Sequence, residues 1–420
     1  MNRTNEQPVV CIIIPTRERI GTLKYTIETC LEQEYENLQI LVCDNFSNDG
    51  TKDFIQGIAD PRISYHNPGR RLSMSDNWEF ALDNTDADYV TVIGDDDGFL
   101  PSAIRNAVDV LIKHNTPVLS WRKAEYTWPD YPEVNMRNRL VLPRLNNLLK
   151  VNGKEALKLI VSLRLSYSLG PCIYNSLVSK QLLDTIKKRD GKIFRSMCPD
   201  VLSSLNLADI TDFYLMSSRP FSINGASAAS NGTSSVGGNE NSIPSQTFVK
   251  EYLSSPDHSN SFGMLKGTLT AALLESLIIF SEKNSSVRNQ INMGAMFNRI
   301  LNEISINNAL YESNLKTLSD LAEKYGQTAT LKKFINSSLR ADNKYRQQNP
   351  QKKSLRVETI DLLLNTEDFD ITNVFQASLL AEKILGCYEI PDQVLNFSYW
   401  RYGISKLMQK LQKTSWNLGL

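Results

Sequence analysis

Nowhere in the 420 residues does an apolar run approach the ~20 residues that a membrane-crossing helix requires. The first such run, Val9–Ile14, is too short for a span or for the core of a secretion signal. The expectation is therefore a cytoplasmic protein that at most touches the inner face of a membrane. An excess of either charge is also missing, because 46 Lys and Arg balance 46 Asp and Glu. That balance leaves no whole-protein field to hold nucleic acid. Paired cysteines are absent too. Cys11, Cys30, Cys43, Cys172, Cys198 and Cys387 show no CxxC spacing, so they read as free thiols in a reducing compartment rather than a disulfide framework. Histidine is scarce at three residues, and the isolated His258 reads as a surface side chain. No repeat of fixed period runs through the chain, so nothing supports a solenoid.

What is present is a globular composition, 41% hydrophobic and 22% charged, on a length that suits two or three domains. The first half alternates two kinds of signal. Val9–Ile14, Leu38–Cys43, Ile63–His66, Tyr89–Ile93 and Pro117–Trp121 are short apolar runs of the kind that form buried strands. Between them Ile20–Cys30, Thr51–Ile58, Ser75–Leu82 and Pro101–Lys113 carry helical spacing or helix-start signals. This order predicts an α/β domain with a mostly parallel, Rossmann-like sheet flanked by helices, over residues 1–223. Ala124–Arg144 reads as an irregular excursion or hairpin and Ser166–Tyr174 as extended. Residues 224–245 are rich in Gly, Ser and Asn and read as a flexible linker or lid. From 246 to 420 helical patterns follow one another without a clear strand, which predicts an α-helical C-terminal domain.

Three polar clusters fall where the first, second and fourth strands end. They are Pro15-Thr16-Arg17-Glu18-Arg19, Asp44-Asn45, and Gly94-Asp95-Asp96-Asp97-Gly98. Parallel topology gathers such ends along one sheet edge, where ligands of α/β folds bind. Three consecutive carboxylates repel one another, so either water or a hard divalent cation must accompany them. Asp44 suits hydrogen bonding to a base or ribose, and equally the opening of a turn. Arg17 and Arg71 suit phosphate oxygens, and equally surface ion pairs. Asn77 stands at the start of a helix.

In this order and spacing, VVCIIIPTRER, LQILVCDNFSNDGT, RRLSMSDNWEFAL and DYVTVIGDDDGFLP resemble family 2 glycosyltransferases of the GT-A fold. The likeness runs from about Val9 to Phe221. It implies inverting transfer from a nucleotide-sugar donor, commonly a UDP-sugar, to a glycan or lipid-linked acceptor, with Mn²⁺ or Mg²⁺ as cofactor and surface polysaccharide as a product class. On that resemblance Pro15, Thr16 and Arg17 are nucleotide-contacting and Asp44 is the base-binding acid. Arg71 and Asn77 lie near ribose and diphosphate, and Asp95, Asp96 and Asp97 form the metal region. The family's pattern often reads D-x-D-D, and alignment on Pro101 puts Gly94 where its first Asp stands. The ligand is then Asp96 or Asp97, with Asp95 nearer the ribose.

Inversion also requires a general base for the acceptor hydroxyl. Asp200, in Met197-Cys198-Pro199-Asp200, fits that role and could equally cap the helix that follows; Asp209 and Asp212 are weaker candidates. Near the C-terminus, Tyr399 to Trp416 combines aromatic, apolar and Lys residues at helical spacing. It reads as a helix packed on its own domain or as a peripheral membrane contact, and the C-terminal third as a whole as an acceptor-binding cap, an oligomerisation module or a membrane contact. Two other classes stay open: a nucleotidyltransferase, although PTRER lacks the glycine-rich loop that would serve it, and a non-catalytic nucleotide-binding scaffold.

Overall fold

The computed structural model describes residues 7–230, 250–253, 265, 268–306, 311–345, 361–391 and 393–397. His258 and the Tyr399–Trp416 segment lie outside the described residues. The first four strands and helices follow the expected alternation: β1 Val10–Thr16, α1 Ile20–Leu31, β2 Leu38–Asp44, α2 Thr51–Gln56, β3 Ile63–His66, α3 Met74–Asp83, β4 Tyr89–Val92 and α4 Ala103–His114, with a two-residue strand, β5 Gly98–Phe99, inserted before α4. Strands β1, β2 and β4 are buried almost throughout, as strands covered on both faces should be.

β6 Val118–Trp121 is followed by a hairpin, β7 Ala124–Thr127 and β8 Arg139–Leu142, and then by β9 Leu148–Asn152. The middle of the chain continues with α5 Gly153–Val161, β10 Ser176–Ser179, α6 Lys180–Asp190, α7 Pro199–Ile210, β11 Phe213–Ser217 and β12 Ser222–Ala226. The stretch expected to be extended before β10 instead winds into two short 3₁₀ turns, Tyr167–Leu169 and Ile173–Asn175. Helices then dominate, with α8 Leu269–Lys283, α9 Ser285–Arg288, α10 Met293–Ile306, α11 Tyr311–Lys324 and α12 Thr328–Tyr345. Near the end come β13 Leu362–Asn365, α13 Val374–Leu385 and β14 Val394–Phe397.

The larger sheet has nine strands in the order β14-β9-β11-β6-β10-β4-β1-β2-β3. β3, β2, β1 and β4 are mutually parallel, while β10 enters antiparallel between β4 and β6. Two antiparallel neighbours in succession restore the direction, so β6 points the same way as β4, and β11 runs parallel to it. The sheet is therefore mixed, with helices flanking it, and the carboxyl ends of β1, β2, β4, β6 and β11 share one edge. A second sheet, in the order β13-β8-β7-β12-β5, folds over that edge.

Two places depart from the composition-based reading. Asn224–Ala226 belong to β12, paired with β7, rather than to a linker. Gly225 is there because of contact: a Cβ on it would come 1.7 Å from the Asp96 carbonyl oxygen. The helical reading of the last third holds over α8–α12 and α13, but β13 and β14 add edge strands to the two sheets, and α13 packs against α1. Both strands are four residues long, too short for a period-2 pattern to stand out. Among the described residues no helix is long and apolar enough to cross a membrane. Cys11, Cys30, Cys43 and Cys172 are buried free thiols, and burial pushes each up to about 12.

Candidate active site

β1 and β2 end in register, with Thr16 opposite Asp44, and Ile13 opposite Val92 sets β4 beside them. The turns that follow are stitched to each other. The Glu18 amide donates to Ser47 Oγ (2.8 Å), the Asn48 amide donates to the Glu18 carboxylate (3.2 Å), and Asp49 Oδ2 accepts the first amide of α1 from Ile20 (2.9 Å). Pro15 closes β1 opposite Cys43. Thr16 Oγ1 donates to Asp95 Oδ2 at 2.8 Å, and Arg19 Nη1 pairs with Asp95 Oδ1 at 2.9 Å. The first and fourth strand ends are thereby joined through Asp95.

The three aspartates are all buried, at 2%, 5% and 2% exposure in chain order, and each is held differently. Asp97 locks the turn: its Oδ2 accepts the Gly94 amide (3.1 Å), its Oδ1 accepts the Gly225 amide (2.6 Å), and the Tyr174 hydroxyl faces it. Asp96 Oδ2 accepts from Ser227 Oγ (2.8 Å) and from the Ser230 hydroxyl, while no hydrogen bond from the described residues reaches its Oδ1. Burial and then repulsion from Asp97 and Asp95 push Asp96 up to about 7, against the pull of Arg19. Gly94 has no room for the aspartate that the family pattern often places there, because a Cβ would meet the Tyr174 hydroxyl at 2.3 Å.

Asp44 is fully buried and serves the turn it opens, accepting the Ser47 amide (3.1 Å) on Oδ1 and the Tyr65 hydroxyl (2.7 Å) on Oδ2. Asn77 lies on the first turn of α3, which Ser73 caps by accepting the Asp76 amide. Its side chain is spent on β2: Nδ2 donates to the Cys43 carbonyl (3.3 Å) and Oδ1 accepts from the Cys43 thiol (3.3 Å). Arg17 pairs with Glu251, a residue of the short helical stretch 250–253. Arg71 pairs with Glu18 at 2.8 Å and stands 3.9 Å from the other oxygen of Glu251.

Asp200 sits on the first turn of α7, directly after Pro199 at its start, where a carboxylate is favoured by the helix dipole. Cys198, not Asp200, is the N-cap residue. Burial raises the Asp200 carboxyl above its ordinary range, opposed first by Lys123 and then by the Val201 amide and the Tyr167 hydroxyl. Lys123 follows β6 at the same sheet edge, donates to Asn224 Oδ1 (2.9 Å), and lies 5.0 Å from the Tyr174 ring centre. Its charge acts on both Asp97 and Asp200. Lys123, Tyr167, Tyr174 and Glu251 escape a reading of the sequence. Only Lys123 carries a signal there, as a cation just past the end of a predicted strand.

Among the described residues no three His, Cys, Asp or Glu side chains form a metal cluster. The donors do suit a hard ion that takes one or two carboxylates and completes its shell with phosphate oxygens and water. Asp96 fits that pattern, since one oxygen is left over and burial beside like charges favours an added cation.

Residues 11–160 match the family model described as glycosyl transferase family 2. That segment of the chain is similar to family 2 glycosyl transferases. The matched segment runs from β1 to the last turn of α5, and so holds the three polar clusters, Arg71, Asn77 and Lys123, but not Tyr167, Tyr174, Asp200, Gly225, Ser227, Ser230 or Glu251. The chain is 32% identical over 100 residues to a GalNAc(5)-diNAcBac-PP-undecaprenol beta-1,3-glucosyltransferase of Campylobacter jejuni, covering 23% of this chain and 32% of that one. It is 22% identical over 223 residues to WfgD of Escherichia coli, a UDP-Glc:alpha-D-GlcNAc-diphosphoundecaprenol beta-1,3-glucosyltransferase, covering 51% and 80%. It spans about a third of the length of the first of these relatives. Among solved structures, S. aureus TarS 1-349 in complex with UDP-GlcNAc is 14% identical with a TM-score of 0.45, covering 83% of this chain and 95% of that one.

Proposed function

We propose that this chain transfers a sugar, with inversion, from a UDP-sugar to a hydroxyl of a glycan or lipid-linked acceptor in polysaccharide assembly. The observation that carries the reading is convergence. Within a family 2 match, the ends of β1, β2 and β4 bring Thr16, Arg17, Asp44 and Asp95–Asp97 to one edge, and β6 adds Lys123, whose charge reaches both Asp97 and Asp200. The activities for which the C. jejuni and E. coli relatives are named support a nucleotide-sugar donor and an undecaprenyl diphosphate-linked acceptor.

In this reading Asp44 faces the base, Pro15 and Thr16 line the nucleotide, and Arg17 and Arg71 serve the diphosphate. Asn77 contributes from beneath by fixing α3 to β2. Asp95 orients Thr16 and Arg19 toward the ribose. Asp96, with Asp97 behind it, holds Mn²⁺ or Mg²⁺. When bound, the cation supplies positive charge against the donor's diphosphate. Asp200 takes the acceptor hydroxyl proton as that oxygen bonds to the anomeric carbon and the bond to UDP breaks. Lys123 and the Val201 amide oppose the rise that burial imposes on Asp200, and a raised carboxyl is the better proton acceptor once ionised.

Transfer from radiolabelled UDP-glucose and UDP-GlcNAc to undecaprenyl diphosphate-linked acceptors, with Asp200→Asn in parallel, tests the reading. Loss of roughly 10²–10⁴-fold in kcat is expected for the variant. Wild-type turnover that survives in Asp200→Asn removes the base assignment, and absence of UDP binding by the wild type removes the donor assignment.

A further inference from the structure

Residues 193–198 connect α6 to the proline that opens α7, and buried groups on two helices hold them. From α3, Glu79 Oε2 accepts the amides of Ile193 (2.9 Å) and Phe194 (3.1 Å), and the Ser75 hydroxyl donates to the Ser196 carbonyl. From α8, Glu275 Oε2 accepts the Met197 amide at 3.2 Å. Glu79 and Glu275 are 5% and 0% exposed, so moving this backbone would leave carboxylates buried without donors. The Phe194 ring meets Trp78 edge-on (5.5 Å), and Trp78 stacks on Tyr174 (5.9 Å), the residue that faces Asp97. The stretch is thus fixed at one end to the support of the acidic turn and at the other to Asp200.

Arg195 lies within this fixed stretch and is its one unsatisfied member. Its Nε and Nη2 are buried, and neither has a hydrogen-bond partner among the described residues. No carboxylate among the described residues pairs with it. The arginines placed in the site each have an anionic partner, unlike Arg195: Arg17 has Glu251, Arg19 has Asp95, and Arg71 has Glu18. The residue is half-buried, and two buried N–H donors of a guanidinium with no acceptor are unfavourable, while the fixed backbone limits their outward relaxation. Its planar fork of donors is shaped for a phosphate or carboxylate, and the substrates proposed above carry diphosphates.

We propose that Arg195 is the binding residue of a phosphate subsite on the loop leading into Asp200, completed by a diphosphate group of a substrate. The chemistry is common to the donor's diphosphate and to that of a lipid-linked acceptor. The existence of substrates that carry it rests on the transferase reading, whereas anion binding itself needs no turnover.

The test uses inorganic pyrophosphate as the probe, measured by calorimetry and thermal shift on the full chain and on Arg195→Gln. Arg195→Gln should weaken pyrophosphate at least tenfold, and Arg195→Lys should recover part of that loss. Without ligand, Arg195→Gln should melt within about 1 °C of wild type or above it, because no partner is lost. Equal pyrophosphate affinity in Arg195→Gln and wild type overturns the proposal. So does a fall of several degrees in the unliganded Arg195→Gln, which would make Arg195 a structural ion-pair member. Repeating the titration in saturating UDP separates the sources. A difference between wild type and Arg195→Gln that persists places the acceptor's diphosphate at Arg195, and one that UDP abolishes places the donor's there. Activity retained in Asp200→Asn would remove the transferase mechanism without touching this result.

Discussion

The carboxylate of Glu251 spans Arg17 and Arg71, with one oxygen paired to Arg17 and the other 3.9 Å from Arg71 Nη1. A protein anion therefore lies on the two cations proposed for the donor's diphosphate. Donor binding must separate these pairs before the arginines can turn to phosphate.

Glu251→Gln removes the competing charge and keeps the shape. The pairs are partly solvated, so the gain should be modest, about 1 kcal/mol or roughly fivefold tighter UDP. Calorimetric titration of UDP into both proteins measures it. An unchanged or weaker affinity would mean that Glu251 does not compete with the nucleotide.

Asp96 and Asp97 should behave differently. Asp96 is pushed up to about 7, so a cation at Asp96 competes with a proton there. UDP binding in Mn²⁺ should weaken as the pH falls from 8 to 6 and should lose its Mn²⁺ dependence in Asp96→Asn. Asp97→Asn replaces an acceptor of the Gly94 and Gly225 amides, so it should lower Tm as well. Calorimetry at three pH values and a melting curve separate the two outcomes.

Gly225→Ala places a Cβ 1.7 Å from the Asp96 carbonyl oxygen and 2.8 Å from Trp128 Nε1, which donates to that same oxygen at 3.0 Å. β12 must then move off the acidic turn. The expected result is a loss of stability of about 2 kcal/mol or more and loss of UDP binding. Chemical denaturation checks the first and calorimetry the second; wild-type values for both would mean the strand is not constrained there.

Glu275 offers a pH test of packing. Burial raises it from an ordinary 4.5 to about 7, against the Tyr252 hydroxyl and the Met197 amide. The folded state therefore holds a proton that the unfolded chain releases, and this residue's contribution to stability falls as pH rises from about 4.5 to 7. Glu275→Gln removes that cost. Relative to wild type it should be more stable at pH 8, by on the order of 2 kcal/mol, and the gain should vanish toward pH 4.5. Urea denaturation at pH 5 and pH 8 reads the difference, and a Gln variant less stable at pH 8 would show that the charge is compensated.

Much of the donor side could be read along the chain. Runs such as Val10–Thr16 and Leu38–Asp44 are buried on both faces, so hydrophobic continuity marks the strands, and parallel order alone predicts that Thr16, Asp44 and Asp95 meet. Gly225 misled because its composition suggests freedom, whereas its environment demands the absence of a side chain. Tyr174 and Arg195 carry no local signal, since neither periodicity nor spacing says which distant group a side chain will face.

The sequence by itself determined the α/β alternation, the shared edge of polar strand ends and the helices of residues 269–345, because each follows from periodicity within a few turns of chain. Tertiary structure alone decided that Asp97 locks the turn while Asp96 keeps an oxygen that no described residue claims, that Lys123 acts on both Asp97 and Asp200, and that Glu251 spans two arginines more than 150 residues before it. Those are contacts of high sequence separation. Burial, which sets their strength and the acidity of each carboxylate, belongs to the packed molecule and not to any segment of it.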